Sequence, residues 1–381
     1  MLDVTSYRKL FPMVEKYAFF NHAGVSALNT HAADAMRTFA EQSTTIPFTE
    51  AGLAAFHTMN ELRERFATLI NARSVDEIVL MPNTAAGINT AALGLPLRTG
   101  DNVLVIDGDY PANIYPWMNL AHRGVLTKFV PTHNGGVDLS LLESRIDSHT
   151  RVIAMSTVQF ATGFRNDVVS AGQLCRDRNI YFAVDGIQSL GAFPLDVQAA
   201  NIDFLSCGSQ KWLLGPMGVG FMYVRRELLD DLIPGPYVGA ASTVDWLNFL
   251  DYNFSPLPTA ERFALGSPNF IGMHGLNASV ALLQGVGIDH VSERILSLTD
   301  VAINDLRERG YRLSVSTDRA HRSGIVIVEV NDPEATCDQL TKANIITVVR
   351  GKGFRIAPHF YNTEEEILRV GEVLDQVSPE L

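Results

Sequence analysis

Between residues 80 and 225 the chain alternates short, wholly apolar runs with stretches of helical periodicity, and few folds accept that rhythm. The runs NVLVID (102–107), RVIAMSTVQ (151–159) and YFAVDG (181–186) have the length and apolarity of buried strands, and DFLSCG (203–208) is a weaker one. Between them, LSLLESRI (139–146) and VVSAGQLCRDR (168–178) repeat apolar residues at helical spacing. Strands alternating with helices predict an α/β domain on a mostly parallel sheet, with helices on both faces. Such sheets hold ligands beyond the carboxyl ends of their strands. Asp109, Gln159 and Asp185 fall at or just past predicted strand ends, so chemistry is expected there.

Residues 236–262 are rich in Pro, Gly and aromatics without a period, and predict an irregular crossover. A long helical pattern follows over 272–310, with a break near Gly287. Strand GIVIVEV, helix PEATCDQLTKAN, strands IITVVR and FRIAP, and a last helix from Thr363 complete a small α+β domain. The expected division is a large domain over 16–260 and a small one over 261–381 joined by residues 1–15. A chain of 381 residues, 46% of them hydrophobic, is ample for that core. Charged residues are only 19%, below the usual quarter, which predicts surface buried in an oligomer interface.

The net charge of −12, with no Lys/Arg-rich run, argues against a nucleic-acid surface. Three cysteines, Cys175, Cys207 and Cys337, form no CxxC pair, so neither a disulfide framework nor a structural zinc site is expected. The first 29 residues carry no basic segment followed by an apolar run, and thus do not read as a signal peptide. No apolar run approaches the roughly 20 residues that span a bilayer. The expected setting is the cytoplasm, with no membrane partner.

Five features gather around the predicted strand ends. Asp185 closes an apolar strand, which places a carboxylate at the bottom of a pocket. MPNTAAGINTAA (81–92) follows an apolar run and opens a helix, so Thr84, Ala85 and Ala86 would offer N–H groups and a hydroxyl to a phosphate. GDYPANIYPW (108–117) sets Tyr110 where its ring could stack on a flat ligand. The turn in RFALGSPNF (262–270) would present Ser267 as a second phosphate donor. Arg355 begins an apolar strand, where a guanidinium needs a carboxylate partner. Lys211, in CGSQKWLLGPMGVGFMYV (207–224), adds a lysine after the next strand. Each feature alone has an ordinary structural explanation: an N-cap, a turn, a surface lysine. A planar aromatic aldehyde phosphate that condenses with lysine accounts for them together.

These blocks resemble the class V aminotransferase group of pyridoxal-5′-phosphate (PLP) enzymes, which includes cysteine desulfurases, selenocysteine lyases, isopenicillin-N epimerase and kynureninase. The resemblance runs from FFNHAGVSALN to FRIAPHFYNTEEEI and is most specific in AVDGIQSLGAFPLDVQAANIDFLSCGSQKWLLGPMGVG. It implies fold type I, with a mostly parallel seven-stranded sheet in the large domain, and a homodimer. It also implies roles. Lys211 would bind PLP covalently and, once freed, serve as acid and base. Asp185 would hold the proton on the pyridine nitrogen. Gln188 would bond the phenolate oxygen and Tyr110 would stack on the ring. Thr84, Ala85 and Gln210 would hold the phosphate, with Ser267 reaching it from the neighbouring subunit. Gln159, in STVQFATGFRNDV, joins the cofactor-binding set. Arg355 would pair with the carboxylate of an amino-acid substrate, and Gly24 and Val25 would form a wall of the pocket.

The departures bear on the reaction. Many desulfurases carry Ser-x-His-Lys at the lysine, where this chain has Gly208-Ser209-Gln210-Lys211; Ser206 or Ser209 could substitute. They stack a histidine where this chain has Tyr110-Pro111. They also carry a catalytic cysteine on a loop before the arginine, whereas VVRGKGFRIAP has none. The expected reaction is therefore a desulfurase-like C–S lyase: β-elimination from cysteine, cystine or a cysteine conjugate without a protein persulfide. The alternative is an aminotransferase or epimerase. A non-catalytic PLP-binding scaffold is a third reading, disfavoured by the simultaneous presence of lysine, aspartate and arginine.

Overall fold

A computed structural model describes residues 3–230, 232, 237–248, 250 and 252–377. The strand–helix rhythm resolves into β1 (Ile78–Met81), α1 (Thr84–Gly94), β2 (Asn102–Ile106), β3 (Leu126–Val130), α2 (Leu139–Ser144), β4 (Thr150–Ser156), α3 (Val168–Asp177), β5 (Tyr181–Asp185), β6 (Phe204–Gly208) and β7 (Gly220–Val224). The strands form one seven-stranded sheet in the order β1-β7-β6-β5-β4-β2-β3. Strand β7 runs antiparallel to both neighbours, and the other six share one direction. The expected α/β class and mostly parallel sheet are therefore present. The chain lays β3 on one side of β2 and then returns to lay β4, β5 and β6 on the other. The direction of winding thus switches between β2 and β4, where a crevice opens at the strand ends.

Successive strand residues enter opposite cores, as the pleat requires. Leu104, Ile153, Phe182 and Leu205 pack on one face. Val103, Val105, Val152, Ala154, Ala183 and Phe204 pack on the other. Burial on both faces explains why these strands read as unbroken apolar runs.

Residues 237–263 hold only short 3₁₀ turns among the described residues, consistent with an irregular crossover. Next come α4 (Phe270–Val286) and α5 (Ile288–Glu308), bent by 80° at Gly287, whose φ of 87° is open to glycine. Helix α4 adds Met273, Leu276, Val280 and Leu283 to the main core, whereas Leu298, Ala302, Ile303 and Leu306 of α5 belong to a separate C-terminal core. That second core is closed by β8 (Leu313–Ser314), β9 (Val326–Glu329), α6 (Pro333–Lys342), β10 (Val348–Arg350), β11 (Gly353–Ile356) and α7 (Glu364–Val377). Its antiparallel sheet has the order β10-β11-β9-β8. The run IITVVR is split, because Ile345–Ile346 pairs instead with Ala18–Phe19 near the N-terminus. Through that pairing the chain leaves the C-terminal core at Phe20 and crosses directly onto the crevice. No single helix among the described residues is long and apolar enough to cross a membrane.

Candidate active site

Asp185 ends β5 at the crevice and is buried; its Oδ1 accepts the Ile187 N–H at 2.9 Å, and no described residue donates to Oδ2. Burial pushes this carboxyl above its usual range, and buried Asp109 nearby adds to the shift. Asp109 itself is saturated: Oδ1 accepts from Tyr110 N and Ser156 Oγ, and Oδ2 from Asn113 Nδ2 and Ser156 N. It is a structural brace at the switch point.

Lys211 lies three residues past β6, buried, with no ion-pair partner among the described residues. Desolvation pulls its amine below the usual lysine range, against the attraction of Asp185 and with help from Arg355 and Arg350. Its Nζ stands 5.4 Å from the centroid of the Tyr110 ring. Tyr110 is 45% exposed, so its ring is not closed over by the protein. The backbone after Lys211 is held in a tight fold: Leu214 sits at φ 56° and Gly215 N donates to Ser209 O. A left-handed leucine costs about 1–2 kcal/mol and persists only where its surroundings impose it. Here Ser279 Oγ donates to Leu214 O and Ser26 Oγ to Lys211 O.

Helix α1 points its N-terminus at the same place. Asn83 caps it by accepting Ala86 N–H at 2.9 Å, so Ala86, expected as a phosphate donor, is already engaged and only the Thr84 and Ala85 N–H groups are spare. The Thr84 hydroxyl accepts Gly208 N–H at 2.8 Å and keeps its own hydrogen for a ligand. A Cβ added at Gly208 would lie 2.7 Å from Gln210 Oε1 and 3.4 Å from Thr84 Oγ1. Glycine thus keeps open a cradle between the helix start and the Gln210 amide. Neither serine that could substitute for the missing Ser-x-His-Lys serine is available. Ser206 Oγ donates to Thr84 O, and Ser209 Oγ to Pro216 O. Ser267 is exposed and makes no hydrogen bond to a described residue.

The segment from Asn21 to Ser26 braces the other side. Asn21 Oδ1 accepts Arg355 Nη2 at 2.8 Å, and Ala23 O accepts Gln188 Nε2 at 3.1 Å. Ser26 N donates to Gln210 O at 2.8 Å. Gly24 is required because a Cβ there would sit 2.4 Å from Asn21 Oδ1, while Val25 is exposed. Gln188 also accepts Trp212 Nε1–H at 3.0 Å, so both ends of its amide are engaged and one Nε2 hydrogen remains. Gln159 is the opposite case: its Nε2 is buried without a partner. Arg355 is buried on β11 with an unpartnered Nε, and burial together with Arg350 brings its guanidinium down to about 9.

The crevice therefore collects Lys211, Asp185, Tyr110, Thr84, Ala85, Gln210, Gln188, Gln159 and Arg355 around free donors and one carboxylate. A class V aminotransferase family profile matches residues 18–370. The chain belongs to the class V aminotransferase family. Its members are PLP-dependent enzymes, and PLP is the cofactor of this one. A probable cysteine desulfurase of Methanothermobacter thermautotrophicus is 30% identical over 346 residues, covering 86% of this chain and 85% of that protein. An uncharacterised aminotransferase of Bacillus subtilis is 28% identical over 363 residues, 95% of this chain and 94% of the relative. Among solved structures, a cysteine desulfurase from Thermococcus onnurineus superposes with a TM-score of 0.90 at 24% identity, over 100% of this chain and 99% of the other. A cystine C–S lyase in complex with cysteine persulfide gives 0.87 at 24% identity, over 96% of this chain and 99% of the other. At that identity the two structures establish the fold, which is fold type I.

The side chains of this class V enzyme fit PLP. The open cradle at Gly208, the spare N–H groups of α1 and the Thr84 hydroxyl suit a phosphate. The unoccupied Oδ2 of Asp185 suits a ring N–H, and the exposed Tyr110 ring suits stacking on the cofactor. Sequence reasoning missed Asn21, which holds Arg355, and Arg350, whose guanidinium stands 5.2 Å over the Phe160 ring with its Nε buried and unpartnered. Both partners are set by tertiary contacts, although an arginine ending a strand beside Arg355 was visible in the sequence.

Proposed function

We propose that this enzyme is a C–S lyase that releases a sulfur leaving group from Cβ of a cysteine-type amino acid by direct elimination. Bound in the crevice, PLP supplies an electron sink for negative charge at the substrate's Cα. Thr84, Ala85 and Gln210 hold its phosphate, and Tyr110 covers the ring. Asp185 keeps the proton on the ring nitrogen, because a buried carboxylate otherwise pushed toward neutrality regains its charge beside a cationic N–H. Gln188, fixed by Ala23 and Trp212, offers its remaining N–H to the phenolate oxygen. Arg355, aimed by Asn21, receives the substrate carboxylate, with the Gln159 amide as a second donor. Lys211 is the covalent anchor. Once the substrate's amino group has displaced it from the cofactor, desolvation would favour its neutral amine, which could take the proton from Cα. The C–S bond then breaks with its electrons leaving on sulfur.

The observation that carries elimination over persulfide transfer is the state of the thiols. Cys175, Cys207 and Cys337 are all buried, and burial pushes each thiol up, away from the reactive thiolate. Their being free also supports a reducing, cytoplasmic setting. The test is an amino-acid panel run on the wild type and on a variant with all three cysteines replaced by Ala or Ser. Pyruvate is expected in both proteins, together with sulfide from cysteine or cysteine persulfide from cystine. A folded, PLP-loaded, cysteine-free protein that is inactive would restore a catalytic cysteine, with Cys337 the first suspect. A keto acid that retains its sulfur, with the cofactor left in its pyridoxamine form, would instead indicate transamination.

A further inference from the structure

Two arginines share one face of the C-terminal hairpin at the crevice. In the β10–β11 pair, Arg350 lies opposite Gly353 and Arg355 lies opposite Val348. Directly opposed residues share a face, and so do residues two apart on a strand, so Arg350 and Arg355 are diagonal neighbours. Gly353 between them has no side chain, and could have none: a Cβ there would lie 1.9 Å from Val328 O. The hairpin thus puts no side chain at Gly353, the position that links Arg350 to Arg355 on this face.

Like charges in this relation repel, and neither arginine is offset by an acid. No ion pair reaches Arg350 or Arg355 among the described residues, and both Nε groups are buried without partners. The remaining neighbours are neutral or positive: Asn21 on Arg355, the Phe160 ring under Arg350, and Lys211, whose amine both arginines depress. Phe160 packs edge-on against Tyr110 at 5.2 Å, and the Tyr110 ring in turn faces Lys211. Arg350 therefore lies along the same wall as the reacting lysine. A single substrate carboxylate would satisfy Arg355 and leave Arg350 uncompensated.

We propose that Arg350 is a specificity-determining residue: the enzyme selects amino acids carrying a second anionic group, such as a carboxylate, at the far end of the side chain. This rests on the reading of the crevice as an amino-acid site with Arg355 at the α-carboxylate. Among sulfur amino acids it favours cystine and carboxylated cysteine conjugates over cysteine itself.

The test separates binding from turnover. L-Glutamate against L-glutamine and L-aspartate against L-asparagine differ in charge at nearly constant shape, and none has a leaving group at Cβ. Their dissociation constants are measured on the PLP-loaded enzyme from the change in cofactor absorbance. At least one acid should bind about ten- to a hundredfold tighter than its amide, the range for hydrogen bonds to a charged group. Arg350→Gln should abolish that preference, and Arg350→Lys should retain part of it. A packing role for Arg350 would weaken acid and amide alike, whereas a specificity role moves their ratio. Equal affinities for acid and amide in an enzyme that still releases sulfide from cysteine would overturn this proposal and spare the lyase reading. If no amino acid, cysteine and cystine included, perturbs the absorbance, both fall.

Discussion

At the scale of single residues, the site works by desolvation. Lys211 and Asp185 are both drawn toward their neutral forms by burial, the lysine downward and the aspartate upward. A surface lysine would be protonated and inert at neutral pH; burial brings this one down to about 8, which raises the share of neutral amine that can attack a carbonyl. Lys211→Ala should therefore eliminate the visible absorption of the covalently held cofactor, while the α1 cradle still retains some PLP. Absorbance of the purified variant checks this, and an unchanged visible band would remove Lys211 from the role. Asp185→Asn tests the other partner. The amide preserves shape but cannot neutralise a protonated ring nitrogen, so exchange of the Cα proton should slow by ~10²-fold or more, the size of a lost acid–base group. Proton exchange in deuterated buffer measures it directly, and exchange at the wild-type rate would exclude the assignment.

At the scale of elements, the segment Asn21–Ser26 acts as a strap between the two cores, and its anchor is titratable. A carbonyl can only accept, so His22 donates Nδ1–H to Ala357 O at 2.7 Å; burial keeps the ring neutral, and its Nε2 then accepts the Tyr361 hydroxyl at 2.6 Å. By the same logic His359 donates Nε2–H to Trp212 O at 3.0 Å and accepts Phe360 N–H on Nδ1 at 2.9 Å. Both rings must be neutral. Burial brings His359 down from 6.5 to about 4 and lowers His22 well below its usual value. Because the folded-state values lie below the unfolded ones, the unfolded chain binds more protons between pH 6.5 and about 4. This contribution is complete above pH 6.5 and is lost as the pH falls through that window, with about 3 kcal/mol at stake for His359. Melting temperature should drop across that range, and His359→Gln should flatten the drop. The strap also marks the limit of what the sequence discloses. The buried parallel strands, α3, the break at Gly287, and Asp185 with Lys211 were legible because apolar runs and strand-end polar residues are local patterns. Edge strand β3 was not, since LTKFV is half polar, and β7 was hidden among glycines. Asn21, His22 and Arg350 were not, because their meaning lies in partners up to 339 residues away.

At the scale of the whole molecule, a second copy of the chain is the expected occupant of the apolar surface. The described parts of the crossover expose Tyr252 (93%), Leu250 (88%) and Leu247 (66%), and Leu53 (82%) on the helix Phe48–Leu69 is bare as well. In the sequence they flank members of an aromatic cluster. Trp246 contacts Phe56 with centroids 6.1 Å apart, and Phe56 meets Phe48 and Phe270, joining crossover, helix and the start of α4 into one aromatic belt. Contiguous apolar surface of this kind marks an interface, and two-fold homodimers are the commonest assembly. Ser267 lies three residues before Phe270 in sequence, exposed and without a hydrogen-bond partner among the described residues, and its hydroxyl is the one expected to reach a neighbouring subunit's phosphate cradle. A homodimer burying at least ~1,200 Å² in total is therefore the expected working unit. Leu250→Glu combined with Tyr252→Glu should shift sedimentation toward the monomer, because each copy would place two unpaired carboxylates against its mate. If Ser267 serves the partner's cofactor, the monomer should also lose PLP on dialysis faster than the wild type, and Ser267→Ala should do so without dissociating. A wild-type monomer that is fully active at assay concentration would refute the assembly, and the belt would then need another occupant.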